Sequence, residues 1–168
     1  MKESALSLAN FIVGKAHEEG ADIQPLKLMK IVYIAHGYSL ALLGRSALNP
    51  RFDKVEAWRL GPVIPSVYHS FKHYGCSAVK DKTVVLREKG EDVEVCVPEL
   101  RDEELCEVAK LVWKRYKHMS GGELVELLHR PATPWSMTYK EGENVEIPDR
   151  LTRVYYSILI DKMLNGEK

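Results

Sequence analysis

Apolar residues recur at helical spacing from the start of the chain. Ala5, Leu8, Ala9, Ile12 and Ala16 fall on one face, with Ser7, Asn10, Gly14 and His17 mostly opposite. Ser4 is placed to cap this helix and Gly20 to stop it, so the spacing predicts a helix over 5–19. A second helix is predicted over 25–43. It opens on Pro25, which suits the first helical position, and ends before Gly44. It is apolar around most of its circumference, the pattern of a buried central helix. One sector departs from that pattern: Lys27, Lys30, Ile34, Gly37 and Ala41 share it, and most are small or charged.

Downstream, Pro50, Phe52 and 55–58 form an extended or irregular passage, and Gly61 with Pro62 argues against regular structure there. Pro65 opens a third helix over 65–74. Segments 82–87 and 92–97 flank Glu88-Lys89-Gly90-Glu91 and predict a β-hairpin. The fourth helix starts at Asp102-Glu103-Glu104, with carboxylates at the positive end of the dipole, and ends in Lys114, Arg115, Lys117 and His118. Leu105, Ala109, Val112, Trp113 and Tyr116 make its core face. Ser120-Gly121-Gly122-Glu123 is a capping box for a short helix over 123–129. A helical turn over 135–139 follows, and Pro148 opens a last helix to Leu164. The expected fold is mainly α: a compact single-domain helical bundle over 1–168 around a buried central helix, with a small peripheral β-hairpin.

Charge narrows the function classes. Lys plus Arg equals Asp plus Glu, 24 against 24. A balanced chain lacks the basic surplus that makes nucleic acid or an anionic membrane a main partner. Near-zero charge instead suits a protein that lives in a complex, a homodimer included. The three cysteines, Cys76, Cys96 and Cys106, are odd in number and form no CxxC pair, so the expected compartment is the reducing cytoplasm. The amino terminus, Met1-Lys2-Glu3-Ser4, lacks a signal-peptide core. The longest apolar run, Ile31 to Leu43, is interrupted by His36, Gly37 and Ser39 and is too short to span a bilayer.

Candidate chemistry is sparse. His69-x-x-x-His73-x-x-Cys76 could place two imidazoles and a thiolate together on a helix, but no fourth ligand is evident, so no metal is expected. No GxGxxG, Walker A, HExxH or GxSxG occurs, and neither a cofactor nor catalysis is expected. Trp58, Trp113 and Trp135 are expected as core or interface anchors, and His36 and Ser39 as satisfied polar groups of the core. Lys110, Lys114 and Lys117 form a stripe expected to be a solvated face; with His118 it is the support for an alternative function, a nucleic-acid-binding regulator.

Three blocks carry a resemblance. Pro25 to Gly37 resembles the central-helix signature of the SocA-like Panacea domain. Glu56-Ala57-Trp58-Arg59-Leu60-Gly61-Pro62-Val63-Ile64-Pro65-Ser66-Val67-Tyr68 resembles its Trp, Gly-Pro and Pro-x-x-Tyr block. Leu124 to His129 with Pro134-Trp135 resembles its C-terminal block. The resemblance implies an antitoxin-type module, found with toxin–antitoxin pairs and phage genes. Such a module neutralises a cognate protein toxin by direct binding, and in the SocA branch it delivers that toxin to the ClpXP protease. The expected partner-contact set is Lys27, Lys30, Tyr33, Gly37, Trp58, Arg59 and Tyr68, on a groove along the second helix and the Trp58–Tyr68 segment. Two features motivate it: the sector of small and charged residues on that helix, and the capacity of Arg59 for bidentate carboxylate pairing beside a rigid Gly61-Pro62 bend. Truncating Lys30 and Arg59 together is then expected to leave melting almost unchanged.

Overall fold

Ser4 caps α1 (Ala5–Glu18) by accepting from the Ser7 amide, and Ser7 returns the bond to the Ser4 amide. These coordinates are a computed structural model that describes residues 3–166; Met1 and Lys2, on which the reading of the amino terminus partly rests, lie outside it. Asp53 meets the same helix start: its carboxylate accepts from the Ala5 and Asn49 amides and from the Ser66 hydroxyl. One carboxylate thus ties the start of α1, where negative charge is favoured, to the loop holding Asn49 and to the first turn of the helix that Pro65 opens.

The face of α1 opposite its apolar stripe is only partly solvated: His17 is exposed. Ser7 and Asn10 are both buried. The Asn10 side chain donates to the carbonyls of Thr83 and Pro98 and accepts from the Thr83 amide, all at 2.8–3.0 Å. These backbone groups lie at the two feet of the hairpin β3 (Val85–Lys89) and β4 (Asp92–Cys96), which turns through Gly90 and Glu91. A two-stranded hairpin is marginal alone, and Asn10 fixes its base to the bundle.

α2 (Pro25–Leu42) is the hub, as its pattern predicts. Every residue from Lys27 to Leu40 is buried, and the helix packs against α1, α3 (Pro65–Phe71), α4 (Glu103–Tyr116), α5 (Gly121–Leu128) and α7 (Asp149–Leu164). A 3₁₀ turn, Lys72–Tyr74, completes the predicted third helix. α6 (Pro134–Thr138) is the short predicted turn, capped by the Thr133 hydroxyl.

The sector holding Gly37 closes against α7. A Cβ on Gly37 would lie 2.2 Å from the Tyr156 ring. Tyr156 is fully buried among Tyr33, Tyr38 and Tyr155, with ring centroids 5.1–6.1 Å away. Tyr33 and Tyr38 find partners in the hydroxyls of Thr152 and Tyr116. His36 meets Asp149 at 2.9 Å through Nε2, and that bond holds the Asp149 carboxyl below its usual range. Its Nδ1 meets no acceptor among the described residues, so His36 is only half satisfied. Ser39 donates to the Arg45 carbonyl, as a core hydroxyl should.

One sheet was not anticipated. β1 (Glu56–Trp58) pairs antiparallel with β2 (Gly61–Val63) and, on its other side, with β5 (Val145–Glu146), giving the order β2-β1-β5. Gly61 and Pro62 were expected to exclude regular structure. β2 is an edge strand, where a proline without an amide hydrogen is tolerated. No helix among the described residues is long and apolar enough to cross a membrane.

The Gly37–Tyr156 contact gives a test. On propensity alone, Gly37→Ala in a helix interior should stabilise by about 1 kcal/mol. Here the added methyl must displace a buried ring, so the expected result is a loss of about 1–3 kcal/mol, measured by urea unfolding.

Candidate functional site

The three blocks singled out in the sequence converge at one place. β1 and β2 are joined by the two-residue turn Arg59-Leu60, and both residues are exposed. Gly61 follows at φ 105°, a conformation closed to most side chains. Space is tight as well: a Cβ there would sit 3.2 Å from the Lys30 ammonium, close enough to press on it, and in ordinary contact, 3.5 Å, with His129 Nε2.

Behind the turn, α2 contributes Lys30. Its side chain is fully buried, and its ammonium donates to the Pro62 carbonyl at 2.8 Å. Desolvation pulls its pKa from 10.5 to about 7. The block at the end of α5 and on α6 contributes an aromatic stack. His129 lies flat on Trp135, 3.7 Å between centroids, and Trp135 lies on Tyr139 at 4.7 Å. The Trp135 indole donates to the Trp58 carbonyl at 2.7 Å, bolting the stack to the last residue before the turn. The Trp58 indole in turn donates to Glu56, which Lys54 pairs at 3.0 Å. The edge of Tyr68, from α3, meets the Trp58 ring at 4.9 Å.

Burial, with the Lys30 charge nearby, pushes the His129 imidazole below its usual range, and its Nε2 meets no acceptor among the described residues. A neutral ring stacked on Trp135 avoids setting a second buried cation beside Lys30. The whole arrangement is a rigid hairpin, buttressed from behind, with a guanidinium and an apolar side chain at its tip.

Of the expected contact residues, the structure gathers Lys30, Trp58, Arg59 and Tyr68 here, but only Arg59 is fully presented to solvent. Tyr33 and Gly37 lie in the α2–α7 interface. Lys27 is buried too; its ammonium donates to the Lys117 carbonyl at the end of α4 and lies 5.7 Å from the Trp113 ring centroid. The expected groove along α2 is therefore absent: Tyr156 fills it at Gly37 and Pro62 caps it at Lys30. Helix-wheel counting located the odd sector correctly and misread its neighbour, which is this chain's own α7 and β2. Leu60, His129, Trp135 and Tyr139 were left out of the expected set, although Trp135 stood in the third block.

The other candidates stay apart from this cluster. His69, His73 and Cys76 are exposed; among the described residues no three His, Cys, Asp or Glu side chains are grouped as a metal site requires. Along α4, Lys110 and Lys117 are neutralised by Glu107 and Glu19.

A small helical domain presenting a braced hairpin tip has the form of a protein-binding module. The comparisons specify it: residues 28–136, which contain most of the first block and all of the other two, match the model of the family described as antitoxin SocA-like, Panacea domain. Antitoxin SocA of Caulobacter vibrioides (strain NA1000 / CB15N) is 33% identical over 137 residues, covering 79% of this chain and 69% of that protein. No solved structure matches. The chain belongs to the SocA-like Panacea antitoxin family.

Lys30 supplies a test with a definite sign. Its folded pKa lies below its unfolded value, so between about pH 7 and about pH 10 the unfolded chain holds the extra proton. Stability therefore rises with pH in that window, and the burial penalty is fully present below it. The buried tyrosines, pushed above their usual range, oppose this only beyond about pH 10. Urea unfolding at about pH 7.5 and about pH 9.5 should show a gain of more than 1 kcal/mol in the wild type, at about 1.4 kcal/mol per pH unit. Lys30→Met should flatten that gain. The earlier expectation for truncating Lys30 reverses: Lys30→Ala leaves a cavity and an unmatched carbonyl, and should cost about 2 kcal/mol or more.

Proposed function

We propose that this protein neutralises a cognate protein toxin by binding it directly, with the Arg59-Leu60 turn as a principal contact. The observation that carries this reading is the convergence of three distant blocks on one turn: Lys30, the Trp58 carbonyl and the His129–Trp135 stack hold it from behind while its tip faces solvent. A pre-formed loop loses little conformational entropy on binding, which favours affinity. Arg59 offers a bidentate fork to a carboxylate and Leu60 an apolar anchor.

In this reading the protein acts without a catalytic step. The perturbed groups serve packing: Lys30 is bonded to a carbonyl, the tyrosines lie in the core, and burial raises the Cys106 thiol, the reverse of what a thiolate nucleophile needs. Three free cysteines suit a reducing cytoplasm. Delivery of the bound toxin to a ClpXP-type protease is the finer branch, and a toxin half-life that shortens with this protein and recovers without the protease would establish it.

The test is an Arg59→Ala, Leu60→Ala variant. Both side chains are exposed, so melting should stay within about 0.5 kcal/mol of wild type. Protection of cells from the toxin encoded in the neighbouring reading frame should be lost, with affinity falling about 30-fold or more. A stable and fully protective variant contradicts the placement of the contact. Absence of any neighbouring toxin that the wild-type chain neutralises contradicts the function itself.

A further inference from the structure

One strip of the outer face of α7 is apolar and uncovered, beside an exposed polar strip of Arg153, Ser157 and Asp161. Val154, Ile158 and Met137 of α6 are each more than half exposed, at 54%, 53% and 57%. With Leu151, Tyr155 and Leu159 they line a groove of about 560 Å³ whose ends carry Arg150 and Lys162. Tyr155 and Leu159 also line a second cavity, of about 410 Å³, between α7, α5 and the end of α4. The two adjoin at Tyr155 and Leu159, forming a trough in two parts. The cations of the second part are Arg115, Arg130 and His118. No Asp or Glu lines either part; α7 does carry Asp149 and Asp161, and neither lines the trough. In a chain whose charges balance, 24 against 24, this is a local segregation of positive charge around an apolar floor.

We propose that this trough docks an amphipathic helix of the protein partner, apolar on one face and flanked by carboxylates. The inference rests on the reading of the chain as a toxin-binding protein for the identity of that partner; the chemistry of the surface is independent of it. Arg150 to Lys162 spans about 18 Å, a little over three helical turns. That length suits the i, i+3, i+4, i+7 anchors of a helix-in-groove contact. The floor supplies burial, and the cations at both ends select for acidic flanks and against basic ones. α6 links this surface to the hairpin tip: Trp135 on α6 braces Trp58, and Met137 on α6 lines the groove. One partner can therefore span both.

The probe is a fluorescein-labelled helical peptide of about 18 residues, with Leu along one face, Glu flanking it and Ala elsewhere. Its twin carries Lys for every Glu. Fluorescence anisotropy with the full chain should show the acidic peptide binding at least tenfold more tightly than the basic one, with the difference shrinking as salt screens the charges. Arg150→Glu with Lys162→Glu should reverse the preference while melting is unchanged. Ile158→Gln, at an exposed position, should weaken both peptides. Equal binding of the two peptides, or none, overturns the proposal. So does displacement of the acidic peptide by a single-stranded oligonucleotide, which would assign the trough to nucleic acid. Dimerisation of the wild type that Ile158→Gln abolishes would assign it to a second copy of this chain and overturn it equally. Failure here with toxin protection still lost in the Arg59, Leu60 variant removes the trough and leaves the function standing. Selective peptide binding with no neutralised toxin does the reverse.

Discussion

A single buried ammonium sets the architecture of the candidate site. Lys30 sits on the central helix, removed from water, and its ammonium donates to a backbone carbonyl of the edge strand. Isolated charge in such a place is costly, and the pKa near 7 expresses that cost. The consequence is directional. An ammonium on an apolar helix must find an acceptor, and Pro62 supplies one because β2 runs along α2 with its carbonyl turned inward. Gly61 is needed just before it for its positive φ, and a Cβ there would also crowd the Lys30 ammonium. The Gly-Pro pair is thus the counterpart of the lysine and not an independent bend.

The same constraint explains why the aromatic residues of the third block stand where they do. With Lys30 behind the hairpin, His129 is held neutral by burial and by the neighbouring charge, and it stacks flat on Trp135. Trp135 then reaches the Trp58 carbonyl. Hairpin, stack and lysine form a closed set in which each member restricts the next, and the two residues free of that restriction are Arg59 and Leu60 at the tip. Membership of the SocA-like Panacea family, established over 28–136, covers Lys30, the turn and the His129–Trp135 pair. The outer face of α7 lies beyond that range.

Much of the fold was legible because helix signals are local. Pro25, Ser4, the Ser120–Glu123 box and the Asp102 cap each mark a boundary within a residue or two of the observed one. The failures are tertiary. The burial of Asn10 was not legible because its partners, the hairpin feet, are more than seventy residues away. Lys30 looked like a groove rim because a helical wheel shows a polar sector without showing what fills it. β2 was missed because a strand containing proline is excluded only from sheet interiors. The α7 surface carried a signal that went unused: Leu151, Val154 and Ile158 point away from Thr152 and Tyr156, so the helix has apolar residues on more than one side and needs more than one partner face.

In the proposed function a partner reads the braced tip and does not open the central helix. Hydrogen exchange of the free chain and of its complex with the neutralised toxin tests this most directly. The expected result is added protection at the Arg59–Gly61 amides, with the exchange of α2 unchanged. Protection gained along Lys110–His118 of α4 with the turn unaffected, or exchange altered within α2, would contradict it.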